Sequence, residues 1–193
     1  MYSNQAMLEA VMKYDLTAVE EMLKANLREE TASARGSRKG YKIVESMIKK
    51  TNERPEFKMA HKFGDKFAFL DGHRLFVADN DLGYENAAVP FNVAKMFPKT
   101  TEDFTEVEID YSELTYFIKV WGKKFKPYYF KAGNKIIGIN PKYLKDAIDY
   151  SGSNNILVMD RKTPIFTSDM KCIVCPVVYE VDYSEWYKNH IAA

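Results

Sequence analysis

The chain has 193 residues, 46% of them hydrophobic and 28% charged, which is enough apolar side chain to close a substantial core. Its longest apolar run, Ile173 to Val178, is far short of the roughly 18 residues that a membrane span needs; the N-terminus has neither the basic start nor the greasy centre of a secretory signal, so the expected setting is the cytoplasm, without a membrane segment. The formal net charge of +1 by itself argues neither for nor against a polyanionic partner.

Residues 4–27 repeat apolar side chains at helical spacing (Met7, Leu8, Val11, Met12, then Leu16, Val19, Met22, Leu23) and predict one or two helices, with Thr17 and Glu20 as a capping box. Residues 1–28 thus form a helical appendage, and the polar, small-residue stretch 29–40 is the expected linker. A further amphipathic helix is predicted from Tyr41 to Lys50, with Ile43, Val44, Met47 and Ile48 turned inward. After Pro55 the period changes to that of strands: Phe57 to Phe63, Lys66 to Leu70 and His73 to Ala78, joined by Gly64-Asp65 and Asp71-Gly72 turns.

A loop with a short helix near 92–97 leads to a strand over 104–109, then to a helix for which Ser112 is the expected N-cap. Tyr128 to Phe130 and Lys135 to Ile139 predict a hairpin. Asn140 and Pro141 then open a helix, the first as cap and the second with its fixed φ. Three strands, over 156–159, 164–167 and 172–181, precede an aromatic tail at 182–193. Helices and runs of hairpin-linked strands together define an α+β fold.

Two local features bear on chemistry. From Lys119 to Lys145 there are eight lysines and no acid, while Thr100 to Ile118 holds six acids and no Lys or Arg; such segregation sets up a local field that the net charge conceals. Cys172 and Cys175 have C-x-x-C spacing, but no second pair or nearby His completes a metal site and no helix start follows to activate a thiol. They are read as core packing in a strand, and no metal or cofactor is expected.

The run Phe67-Ala-Phe-Leu-Asp-Gly-His-Arg-Leu75 resembles the hairpin of the bacterial DNA polymerase sliding clamp, with Asp71 to Leu75 matching fully. Ile137-Gly-Ile-Asn-Pro-Lys-Tyr-Leu144 is similar to the clamp's capped strand-to-helix segment, and Cys175-Pro176-Val177 looks like a variant of its terminal Met-Pro segment. The order of these pieces makes residues 41–181 similar to one clamp repeat. A clamp subunit carries several repeats, so a ring built from this chain implies a homo-oligomer. A single repeat also suits a reduced replication part of the kind a phage or other mobile element carries.

The resemblance implies a non-catalytic protein whose partners are duplex DNA and replication proteins or their peptides. The helices corresponding to the clamp's inner layer place Lys42, Lys49, Lys50, Lys142 and Lys145 toward phosphates, with Lys123, Lys124 and Lys126 as a second patch. The clamp's peptide groove maps onto His73, Arg74, Leu75, Pro176 and Val177. Two other classes stand beside this reading. An enzyme finds little support, since no Gly-rich phosphate loop or nucleophile elbow occurs. A clamp-fold interaction module that does not bind DNA would act through the N-terminal helices and the aromatic tail.

Overall fold

The computed structural model describes residues 2–34, 38–50, 54–121 and 126–177. The chain divides into two compact units: Met1–Asp71 with Phe76–Met96, and Gly72–Leu75 with Phe97–Ala193.

The first unit begins with α1 (Asn4–Met12), α2 (Leu16–Ala34) and α3 (Arg38–Ile48). Ser3 caps α1, its hydroxyl accepting from the Ala6 amide at 3.1 Å. Tyr14, in the left-handed region at φ 55°, ends that helix, and Asp15 accepts from the Ala18 amide at 3.0 Å to start the next. The cap of α2 is therefore Asp15 and not the expected Thr17, because the left-handed residue turns the chain two positions earlier. Residues 29–34, expected in a linker, continue α2: a helix already nucleated at Leu16 propagates through Glu, Thr, Ala and Ser without needing large apolar side chains. Helix α3 likewise starts at Arg38, ahead of the expected Tyr41, and buries Tyr41, Val44, Met47 and Ile48.

Residues Pro55–Lys58 form a short 3-10 turn where the opening of a strand is expected, since Pro55 at its first position favours the turn. Strand β1 is thereby shortened to His61–Phe63 and pairs antiparallel with β2 (Lys66–Leu70) across a turn in which Gly64 takes φ 61°. Strand β3 (Arg74–Ala78) comes after Gly72 at φ 85°. His61 is wholly buried; its Nε2 lies 2.8 Å from the Glu56 carbonyl and its Nδ1 accepts from the Phe91 amide at 3.3 Å. Both contacts together require the neutral ring with its proton on Nε2. Burial lowers the His61 pKa, partly opposed by the Glu56 carbonyl.

A depressed pKa means that the unfolded chain takes up the proton first, so this contribution to stability is complete above the ordinary value near 6.5 and declines as pH falls below it. Urea melts from pH 7.5 to 5 should show wild-type stability falling below that point more steeply than in His61→Gln. Parallel pH profiles in the two proteins would remove His61 as the cause.

In the second unit, β4 (Thr105–Glu108), β7 (Asn155–Val158), β8 (Ile165–Thr167) and β9 (Cys172–Val174) pair antiparallel in the order β4-β7-β8-β9. Their core includes Ile156, Val158, Ile165, Phe166 and Ile173, with Phe97 and Phe104 against Phe166. Cys172 is buried among them, and burial pushes its thiol pKa well up, away from thiolate chemistry.

Helix α4 (Tyr111–Trp121) is capped by Asp110, which accepts from the Ser112 and Glu113 amides at 2.8 and 3.0 Å. Ser112 thus lies inside the first turn, because the aspartate two positions earlier already satisfies the leading amides. Strands β5 (Tyr128–Ala132) and β6 (Lys135–Ile139) form a separate hairpin turning at Gly133, φ 60°. Asn140 caps α5 (Pro141–Ser151) by accepting from the Lys142 amide at 3.0 Å, and Gly152 closes the helix in the left-handed conformation at φ 77°. Leu144, Ala147 and Ile148 are buried, and α5 packs against β8, β9 and α4.

Candidate functional site

All five residues of the expected peptide groove fall in the second unit, and the backbone brings their segments together. The Cys175 amide donates to the His73 carbonyl at 2.8 Å, and the Val177 amide donates to the Gly138 carbonyl at 2.9 Å. The Pro176–Val177 segment is therefore strapped between the start of β3 and the middle of β6. Gly138 is required there: a Cβ would stand 2.8 Å from Cε1 of Tyr129, its cross-strand partner, and 3.4 Å from the Val177 carbonyl oxygen.

The side chains divide by exposure. Leu75 and Arg74 are buried, His73 is exposed, and Pro176 and Val177 are half-buried. Arg74 points into the protein: its Nη1 lies 2.6 Å from Asp146 Oδ2 on α5, and its guanidinium sits 4.1 Å from the ring centre of Tyr143. The His73 ring stacks on Tyr143 with centroids 6.1 Å apart. Charge pairing and the cation-π contact thus hold the start of β3 against α5. The strap, the exposed His73 and the half-buried Pro176 and Val177 offer apolar surface edged by an imidazole.

Tyr143, Asp146 and Gly138 were not among the site residues expected from sequence. Tyr143 and Asp146 lie three apart on one helix, a spacing that puts them on neighbouring faces, but nothing in the sequence says that residue 74 lies opposite. Gly138 reads as an ordinary interruption of an apolar strand until Tyr129 is seen lying over it.

The expected phosphate-facing lysines lie on both units. In the first, Lys42, Lys49 and Lys50 are exposed on the outward side of α3 and the turn after it, with Lys39 on the same side. Glu45 is the acid among them, paired with Lys49 at 3.1 Å. In the second, Lys142 is exposed, whereas Lys145 is only about one-third exposed and pairs with Asp149 Oδ2 at 2.5 Å. Asp149 also accepts from the Tyr111 hydroxyl at 2.9 Å, and Lys145 lies 5.5 Å from the centre of that ring. The bond to Asp149 raises the Lys145 pKa, burial opposing it. Asp149 offsets Lys145 and Asp146 offsets Arg74, so this face of α5 carries little net charge beyond that of Lys142. Lys126 lies 3.6 Å over the Trp121 ring. Lys123 and Lys124 are outside the described residues, as is the tail at 182–193.

A cleft of about 240 Å³ in the second unit is lined by residues including Glu108, Asp110, Glu113, Tyr128 and Lys131. Burial, followed by the nearby Glu113, pushes the Tyr128 phenol pKa up. Asp110 is occupied in capping α4, so the arrangement reads as a polar surface recess.

Comparison with known proteins bears on the fold. A crystal structure from Eubacterium rectale, of a chain provisionally assigned as a DNA polymerase III beta subunit, superimposes with a TM-score of 0.51 at 12% identity, covering 73% of this chain and 64% of that one. The DNA polymerase III beta subunit of Thermotoga maritima gives a TM-score of 0.34 at 17% identity over 59% of this chain and 42% of that one, too weak to bear on the fold. No protein-family model and no curated protein matches the sequence. The chain has a clamp-like α+β fold, with helices and a large antiparallel sheet, and it spans less than two thirds of the length of the Eubacterium rectale neighbour. Among the described residues no helix is long and apolar enough to cross a membrane.

Proposed function

We propose that the chain is a non-catalytic clamp-fold protein of DNA replication that meets duplex DNA through the outward face of α3. The observation that carries this reading is the set Lys39, Lys42, Lys49 and Lys50 on one side of a helix whose opposite side is buried, with Glu45 as the acid among them. A rigid row of ammonium groups suits sequence-independent phosphate contact, which needs charge and position but no base readout. Lys142 is a secondary contact. Lys145 contributes less, because a phosphate must compete with Asp149 for its ammonium. The strapped Pro176–Val177 segment with His73 is the proposed seat for a peptide of a replication protein, anchored by an apolar side chain.

The double variant Lys42→Glu/Lys50→Glu should weaken binding of a labelled duplex and lower the slope of log affinity against log salt by about two, roughly one per phosphate contact. Lys142→Glu/Lys145→Glu should do so more weakly. Lys42 and Lys50 are exposed, so circular dichroism of the first pair should be unchanged, whereas Lys145→Glu sets a glutamate beside Asp149, so the second pair is compared with Lys142→Glu alone. Binding that neither pair alters would refute the assignment. The pairing of Lys145 with Asp149, which leaves little net charge on the α5 face, favours a second reading, an interaction module of the same fold without DNA binding. Absence of any salt-dependent duplex binding by the wild type, together with retained peptide binding, would select it.

A further inference from the structure

In the second unit, β4 pairs with β7 on one side and ends the strand order. The Ile109 amide donates to the Asn154 carbonyl at 3.0 Å. Bonding alternates along an antiparallel ladder, so residues 109, 107 and 105 bond to β7, while the amides and carbonyls of Glu106 and Glu108 point the other way. Asn155, opposite Glu108, is in the same phase: its carbonyl turns to the far side and accepts from the Ser168 amide at 3.1 Å. Among the described residues no strand pairs with this outer edge of β4. Packing does not seal it either. Thr105, Glu106 and Glu108 are exposed, and the cleft of about 240 Å³ lies at the Glu108 end of the edge, lined also by Tyr128 and Lys131 of β5.

The side chains of Glu106 and Glu108, two positions apart, share one face of the strand. They stand in the stretch from Thr100 to Ile118, which holds six acids and no Lys or Arg. Side chains directly opposite on paired strands stabilise when their charges differ and destabilise when they are alike. Since only Glu106 and Glu108 offer backbone bonds, the β4 of a second copy would set glutamate against glutamate. A nucleic-acid phosphate meets the same repulsion. Acids on an edge deter unselective pairing and leave a basic strand as the one that fits. We infer that the outer edge of β4 docks an extended segment of a partner protein with Lys or Arg at every second position. The segment adds as an antiparallel strand, its backbone bonded to Glu106 and Glu108 and its cations opposite their carboxylates. Pairing through two residues is well below a standard interface, so the contact is weak and reversible.

The probe is a labelled peptide, acetyl-Thr-Lys-Val-Lys-Val-Lys-Thr-amide, titrated into the full chain at low salt and followed by fluorescence anisotropy. It should bind, and its counterpart with Glu in place of Lys should not. Methylating the backbone nitrogens of its lysines keeps the charge and removes the bonds to β4, and should weaken binding about tenfold. Glu106→Lys/Glu108→Lys should weaken binding of the lysine peptide about tenfold or more and bind the glutamate peptide instead. Hydrogen exchange at the Glu106 and Glu108 amides should slow when the lysine peptide saturates the wild type, with Val107 unchanged. No binding by the wild type, equal binding of the methylated peptide, or equal binding by the charge-reversed variant overturns the inference. So does binding that leaves exchange at Glu106 and Glu108 as it was.

Discussion

Replacing Arg74 with Ala should destabilise the protein by about 3 kcal/mol in urea melts, the lower end of what removing one partner of a buried ion pair costs. The Arg74 side chain is 2% exposed and reaches both Asp146 and the Tyr143 ring, so its loss removes charge pairing and packing at once. Asp146 is 34% exposed and regains water when the guanidinium goes, which is why the upper end of the range is not expected. Arg74→Met separates the two contributions: it leaves Asp146 unpaired as Ala does but retains an apolar stem over Tyr143, and should therefore cost about 1 kcal/mol less than Ala. Equal losses in Ala and Met would assign the whole effect to charge. If neither variant moves the melt, Arg74 does not hold β3 to α5.

Gly138→Val should cost about 2 kcal/mol, the usual range for forcing extra methyl groups into a closed site. An added Cβ meets Tyr129 Cε1 at 2.8 Å, and Tyr129 is buried, so its ring has little room to withdraw. The disturbance should spread to the strap, since the Gly138 carbonyl accepts from the Val177 amide. Hydrogen exchange at Val177 should therefore quicken more than exchange in β7 or β8. Gly138→Ala, with the Cβ alone, should fall between the wild type and the valine variant. A valine variant as stable as wild type, with Val177 still protected, would mean that Tyr129 yields freely and that Gly138 is not needed for close approach.

Several elements were legible in the sequence because their causes are local. The Asn140-Pro141 start of α5 and its Gly152 stop arise from a capping side chain, a fixed φ and a residue free to turn left-handed; all three are found. The β5–β6 hairpin and the β1–β2 turn arise in the same way from glycine at positive φ between alternating apolar runs. The clamp-like resemblance of Asp71 to Leu75 and of Ile137 to Leu144 pointed to an α+β fold that the structure bears out.

Misplaced boundaries also have local causes, weighed wrongly. The stretch 29–34 lacks apolar side chains, which signals a linker only if no helix is already running into it. Ser112 and Thr17 are good caps, but Asp110 and Asp15 stand earlier in the chain and take the role. At Pro55 the strand-like alternation of residues 57–63 outweighed a proline that favours a helical turn.

What the sequence determined by itself is the set of elements, the faces of the helices, the segregation of charge and the turns, because each depends on residues only a few positions apart. What only the tertiary structure decided is the partnership of residues distant in the chain. Arg74 and Asp146 are separated by 72 positions, and neither announces the other. The Lys145–Asp149 pair is local, four positions apart on α5, but only packing of α4 against α5 brings the Tyr111 hydroxyl to the same Asp149. Contacts of this kind depend on where several elements come to rest against one another, a joint outcome of core packing that no single segment encodes.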